Sequence, residues 1–145
     1  MKSSASKTTA LKTKVIKQKV IIPAPPSEVY DAFLDARKHS EFTRERATCD
    51  PKEGGKISAW DGYISGKNLK LVKGKRILQE WITTDWVEGY PASKLDLLFA
   101  KKGNGTELTM IHSNVPAALA SSFAKGWKDH YWALLKEYFQ EMKTT

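Results

Sequence analysis

Hydrophobic residues recur at two different periods along this chain. In the second half they alternate. Leu95, Leu97 and Phe99 fall on one face of "ASKLDLLFAKK", and Leu108, Met110 and His112 fall on one face of "TELTMIHS", with Glu107 and Thr109 opposite. A period of two places alternate side chains on opposite sides of a sheet, one buried and one wet. Gly103-Asn104-Gly105 between these runs predicts a hairpin, and Lys73-Gly74 predicts another between "DGYISGKNLKLV" and "KRILQEWITT". "RERATCD" and "GGKISAW" read as further strands, and "TKVIKQKVII" as a first one ended by Pro23, Pro25 and Pro26. In the strand carrying Gln79 and Trp81 the alternation is ambiguous, and both residues are candidates for the interior.

Elsewhere the period is helical. Proline followed by Ser27 and Glu28 is a helix start, and Val29 and Phe33 lie four apart on one face of "SEVYDAFLDA". A short second helix is expected over Arg37 to Phe42. The chain closes on "VPAALASSFAKGWKDHYWALLKEYFQEM", where Phe123, Trp127, Tyr131, Leu134, Leu135, Tyr138 and Met142 recur at spacings of three and four. This stripe predicts one long helix packed on the inner face of the sheet. Gly126 inside it either lets the backbone approach the sheet or bends the helix. The order is strand, two short helices, about six antiparallel strands and a long helix. That is an α+β helix-grip, a curved sheet wrapped round its last helix, an arrangement that leaves room for a cavity between the two.

The chain has 145 residues, the length of one domain. Five Trp, five Tyr and five Phe suffice for a sizeable core. Cys49 is the only cysteine, which excludes an internal disulfide and suits a reducing compartment. No apolar run is long enough for a membrane span, and no signal peptide is legible, so a cytoplasmic protein is expected. The net charge is +8, but Lys2, Lys7, Lys12, Lys14, Lys17 and Lys19 all precede the first acid, Glu28. Without those six the balance is 18 basic against 16 acidic residues. Residues 1–12 are therefore expected to be a disordered lysine-rich tail ahead of a single domain over 13–143. Such a tail solubilises, and nucleic-acid binding that rested on it would not be specific. A second cluster is local: Lys67, Lys70, Lys73, Lys75 and Arg76 form a run with no acid between Asp61 and Glu80. On a hairpin it would make a positive ribbon, either a guard against edge-to-edge aggregation or a partner surface.

Motifs of catalysis are missing. The three histidines, His39, His112 and His130, show no metal-ligand spacing, and there is no G-x-S-x-G and no phosphate loop. No cofactor or metal is expected. Asp129 and His130 are neighbours on a helix, so they point about 100° apart and cannot form a relay with each other. His112 is either a strand histidine bonded to backbone or a polar group at the cavity mouth.

Five segments, in this order, resemble one family: "PAPPSEVYDAF", "GGKISAWDGYISGKNLKLVKGKRILQEW", "TTDWVEGYPASKLDLLF", "GNGTELTMIHSNVP" and "GWKDHYWALLKEYF". Together they look like the C-terminal-type domain of the activator of the ninety-kilodalton heat-shock chaperone ATPase, within the START and birch-pollen-allergen-like superfamily. The resemblance covers roughly Lys14 to Met142. It implies a helix-grip fold with a hydrophobic cavity, in a domain that follows another domain in the activator. Three functions are then in play. A chaperone partner predicts a contact surface around Trp86, Glu88 and Tyr90 together with the ribbon Lys67, Lys70, Lys75 and Arg76. A carrier of a hydrophobic small molecule predicts a cavity lined by Trp81, Phe99, Met110, His112, Phe123, Trp127 and Tyr131. An enzyme of the cyclase or hydrolase type needs a polar pair inside, for which His112, Gln79 and Tyr131 are the candidates. A non-enzymatic domain is the expectation. Trp86, beside a flexible glycine at the mouth of a strand, is either a cap on the interior or a contact for a partner.

Overall fold

The computed structural model describes residues 11–144. The expected tail lies almost wholly outside the described residues. Seven strands form one antiparallel sheet in the order β1-β7-β6-β5-β4-β3-β2. They are β1 (Thr13–Ile22), β2 (Thr48–Cys49), β3 (Lys56–Ala59), β4 (Ile64–Val72), β5 (Arg76–Thr83), β6 (Ser93–Lys102) and β7 (Gly105–Pro116). Two short helices, α1 (Pro26–Leu34) and α2 (Ala36–Thr43), separate β1 from β2. The chain thus returns to pair its first strand with its last, Ile16 opposite His112 and Ile22 opposite Thr106.

Local chemistry explains the helix boundaries. Pro25 and Pro26 open α1. Asp35 follows α1 in extended conformation, and its carboxylate accepts the Lys38 backbone N–H at 3.1 Å, capping α2. The two helices place Val29, Phe33, Phe42 and His39 in the core. "RERATCD" contributes only Thr48 and Cys49 to the sheet, because Arg44 ends α2 in a left-handed conformation and the following residues make the turn.

Alternation is kept through β5, β6 and β7, whereas β1 and β4 each carry an irregularity, between Lys14 and Ile16 and between Asn68 and Lys70. Ile77, Gln79, Trp81 and Thr83 of β5 point inward, as do Leu95, Leu97 and Phe99 of β6 and Leu108, Met110 and His112 of β7. Lys14, Lys17 and Lys19 belong to β1 rather than to a tail. Half of the six N-terminal lysines therefore stand on the edge strand, where lysine discourages pairing with another chain.

The C-terminal helix is not one α-helix. It runs as α3 (Ala117–Trp127), a π-helical turn over Lys128–Trp132, and α4 (Ala133–Thr144). Phe123, Trp127, Tyr131, Leu135 and Phe139 are buried, each four residues after the last. In a regular α-helix each four-residue step drifts about 40°, so four steps would carry the stripe roughly 160° round. The wider π turn absorbs the drift and keeps one face on the sheet. Extrapolating the α period past it picked Met142, which is exposed, and missed Trp132 and Phe139, which are buried.

Candidate functional site

An open cavity of about 540 Å³ lies between the last helix and one end of the sheet. Phe123, Gly126 and Trp127 of α3 and Tyr131 of the π turn form its helix side. Trp60, Tyr63, Ile64 and Trp81 form its sheet side. Ser122, Lys125, Asp129 and His130 complete the lining, and all four are solvent-exposed. Lys125 and Asp129 are paired with each other, one helical turn apart. The turn from β3 to β4 builds the sheet side. Trp60 and Asp61 are both left-handed, with φ 55° and 54°. This unfavourable backbone is held by the Arg46–Asp61 ion pair and by the Asp61 N–H donated to the Arg46 carbonyl at 2.9 Å. Tyr63 is anchored beside it, its hydroxyl donating to the Asp85 carboxylate at 3.1 Å.

Behind the aromatic wall lies a polar chain that is fully buried. The Trp127 indole can only donate, so its N–H at 3.2 Å makes His112 Nδ1 an acceptor. His112 Nε2 must then carry the proton and donate to Ser93 Oγ at 2.8 Å. Ser93 passes its own proton to the Trp81 carbonyl at 2.7 Å. Each side-chain N–H and O–H in this polar chain is thereby donated. Burial alone pushes the His112 imidazole down to about 3, well below its ordinary 6.5. A serine–histidine pair at this distance invites comparison with a catalytic dyad, but the tautomer is wrong. A general base must offer a free Nε2 to the hydroxyl, and here that nitrogen holds the hydrogen. The pair is a structural tie between β6, β7 and α3.

A second buried chain joins α2 to the π turn. The Phe33 carbonyl lies 3.3 Å from His39 Nδ1, so that nitrogen donates and Nε2 accepts from the Tyr131 hydroxyl at 3.0 Å. Burial lowers His39 to about 4 and raises the Tyr131 phenol. Gln79 belongs to a third set, donating to Asn68 Oδ1 at 3.0 Å. His112, Gln79 and Tyr131 thus each bond to a different partner and form no pair with one another. Among the described residues no group of three or more His, Cys, Asp or Glu is placed to hold a metal.

Of the residues expected at the cavity, Trp81, Phe123, Trp127 and Tyr131 line it. Phe99 is buried against Tyr30 and Phe33, Met110 is enclosed, and His112 lies behind Trp81 and Trp127. These three are core. Trp60 and Tyr63 line the cavity without having been singled out, and Gly126, noted for its place in the helix, lines it too. The hint for the first two was the turn-like "AWDGY" between two apolar runs.

Trp86 is half-buried. Its ring packs against Phe123 at 6.1 Å, and its indole N–H reaches the Tyr90 and Pro91 carbonyls, each at 3.2 Å. It therefore closes its own loop and covers one end of the helix–sheet interior. Glu88 is exposed, and Tyr90 is partly covered, its hydroxyl accepting the Lys12 N–H at 3.1 Å. Lys67, Lys70, Lys73 and Lys75 are exposed on the β4–β5 hairpin, and none sits within ion-pair distance of a carboxylate among the described residues. Arg76 differs: it is clamped by Asp96 through two bonds of 2.9 Å. The hairpin tip and the Trp86 loop sit at opposite ends of β5, roughly 25 Å apart at the rise of a strand. They are two separate patches.

Sheet, helix and cavity together define a helix-grip domain. The chain belongs to the family described as "Activator of Hsp90 ATPase homolog 1-like protein", whose model matches residues 23–140. It is 30% identical over 128 residues to an "Activator of 90 kDa heat shock protein ATPase homolog" of Dictyostelium discoideum, a match covering 88% of this chain and 33% of the relative. It is 27% identical over 116 residues to the mouse "Activator of 90 kDa heat shock protein ATPase homolog 2", covering 80% of this chain and 33% of that one. The chain thus spans about a third of the length of these curated relatives. A crystal structure of an HSP90 activator from Plasmodium falciparum superposes with a TM-score of 0.77 at 26% identity, covering 88% of this chain and 96% of the other.

Proposed function

We propose that this chain is a non-catalytic binding domain that docks on a ninety-kilodalton heat-shock ATPase and raises its turnover. The observation that carries the reading is likeness to proteins named as activators over almost the whole fold, one of them a structure of nearly the same extent. The unpaired lysines of the β4–β5 hairpin support it, since an exposed positive ribbon suits an acidic surface on a partner. The serine–histidine pair does not compete with this reading, because its tautomer and burial disable it as a base. The test is the ATPase rate of the same organism's chaperone, titrated with this chain and with a copy lacking residues 1–12. Saturable stimulation that survives the truncation is the expected result. A flat titration overturns the reading.

The aromatic cavity favours a second role, the binding of an apolar small molecule, because its volume lies within the range of roughly 300–1,000 Å³ used by ligand pockets. Both roles fit one domain, as the hairpin ribbon and the cavity occupy different regions.

A further inference from the structure

We infer that the cavity takes a flat, uncharged, fused-ring aromatic molecule, and that Gly126 keeps the helix side of the cavity open for it. The inference rests on the small-molecule reading above and narrows it to a chemical class.

The first observation is the composition of the wall. Trp60, Tyr63, Trp81, Phe123, Trp127 and Tyr131 all face the cavity, and Ile64 is the one aliphatic side chain among its lining residues. A pocket for an alkyl chain is served by flexible aliphatic groups that mould round it. Rigid rings favour a rigid planar guest, which gains offset-stacked and edge contacts beyond plain burial. The rings are already fixed by one another. Trp81 and Trp127 stack at 5.5 Å with 24° between planes, and Phe123 meets Trp81 edge-on at 5.9 Å. A preorganised wall loses little freedom on binding.

The second observation is electrical. Among the described residues no buried side-chain nitrogen or oxygen lacks a hydrogen-bond partner. The polar side-chain atoms buried behind the wall are thus already paired, and the buried lining residues Trp81, Phe123, Trp127 and Tyr131 carry no charged side chain to receive an ionic guest. The exposed lining carries one cation and one anion, Lys125 and Asp129, which neutralise each other. A charged ligand would lose hydration without a matching countercharge. A neutral ring system bearing at most a hydroxyl directed toward Ser122 and His130 meets no such penalty.

The third observation is Gly126. Glycine is the poorest helix former after proline, so its place inside a helix calls for a reason. The backbone supplies none: Gly126 has no left-handed φ, and a Cβ built there meets nothing within 4 Å. Close approach to the sheet, one of the two roles expected from sequence, is therefore not what it provides. The space a side chain would occupy belongs to the cavity that Gly126 lines.

The experiment is a pair of titrations of the full chain with 9-anthracenemethanol and 1-dodecanol, two neutral alcohols that differ in ring against chain. The first is followed by quenching of tryptophan fluorescence and both by calorimetry. Anthracenemethanol is expected to bind at least tenfold more tightly. Gly126→Leu is expected to fold, with an unchanged circular dichroism spectrum, and to weaken that binding at least tenfold. If that variant does not fold, Trp60→Ala, at the half-buried β3–β4 turn, serves instead with the same tenfold loss expected. Equal or tighter binding of dodecanol, weakened by the same variant, overturns the aromatic class and leaves the small-molecule reading standing. Binding of neither alcohol overturns both. Anthracenemethanol binding that the variants leave unchanged places the guest elsewhere and overturns the inference.

Discussion

His39 and His112 show how little a side chain's role depends on its own identity. Both are neutral because burial forbids a charge and because each ring nitrogen already has a partner. Neither arrangement was legible from the sequence. Ser93 and His112 are 19 residues apart, and His39 and Tyr131 are 92 apart, so only the folded sheet and helix bring them together. Alternation did place His112 on the inner face, which is as far as local pattern reaches. A pH dependence follows. In the unfolded chain both imidazoles titrate near 6.5, whereas folded His39 and His112 do so at about 4 and about 3. The unfolded state therefore binds more protons below 6.5, and stability falls with decreasing pH. Above 6.5 these residues contribute no slope, and below 4 and 3 their contributions level off in turn. Between pH 7 and pH 5 the loss amounts to roughly 2 kcal/mol for each histidine. Urea unfolding at the two pH values should show it, and His39→Gln should remove about half of the slope. An unchanged midpoint between pH 7 and pH 5 would contradict the neutral, enclosed state of both rings.

Strands were easier to read than the last helix, and the reason is physical. A period of two survives twist, and β6 and β7 pair without a bulge, so Leu95 to Phe99 and Leu108 to His112 declared their buried faces directly. The helix changes its own period at Lys128–Trp132, and a stripe read with a fixed α period then drifts onto the wrong face. β2 was overread for a different reason: a candidate strand needs a partner, and β3 offers it only two positions. Close backbone approach is likewise invisible before folding. Gly66 in β4 sits where a Cβ would lie 1.9 Å from the Glu80 carbonyl oxygen, on a strand paired with β3 on one side and β5 on the other. Gly66→Ala should therefore destabilise the protein by about 1–3 kcal/mol, the cost of overpacking against backbone. Gly126→Ala should go the other way, stabilising by about 1 kcal/mol, because it relieves an unfavourable helix residue and meets open space. Thermal unfolding of the two variants beside the parent checks both signs. A stabilised Gly66→Ala, or a destabilised Gly126→Ala, would mean that the register of β4 or the course of α3 differs from the one described.

Taken over the entire domain, the two surfaces once grouped as one partner site separate. The Trp86 loop closes one end of the helix–sheet interior, and Trp86 is tied inward to Phe123 and to its own loop carbonyls. The lysine hairpin lies at the far end of β5 and holds its charges outward. Sequence supplied both sets of residues but could not place them, since distance along β5 becomes visible only when the sheet is ordered. If the hairpin is the docking surface, its contribution is electrostatic and long-ranged, so it acts mainly on the rate of encounter and is screened by salt. Reversing Lys70 and Lys73 to Glu alters no ion pair within the described residues, so the fold should be unaffected. The doubly reversed variant should need at least tenfold more protein for half-maximal stimulation of the chaperone ATPase at low salt, and the gap should narrow as salt is raised toward 0.5 M. Trp86→Ala should behave differently, lowering thermal stability through the lost Phe123 contact and showing no such salt dependence. Identical titrations for the parent and the lysine variant would remove the hairpin from the docking surface. A salt-dependent defect in Trp86→Ala alone would move that surface to the opposite end of the sheet, beside the cavity, where a bound small molecule and a bound chaperone would compete.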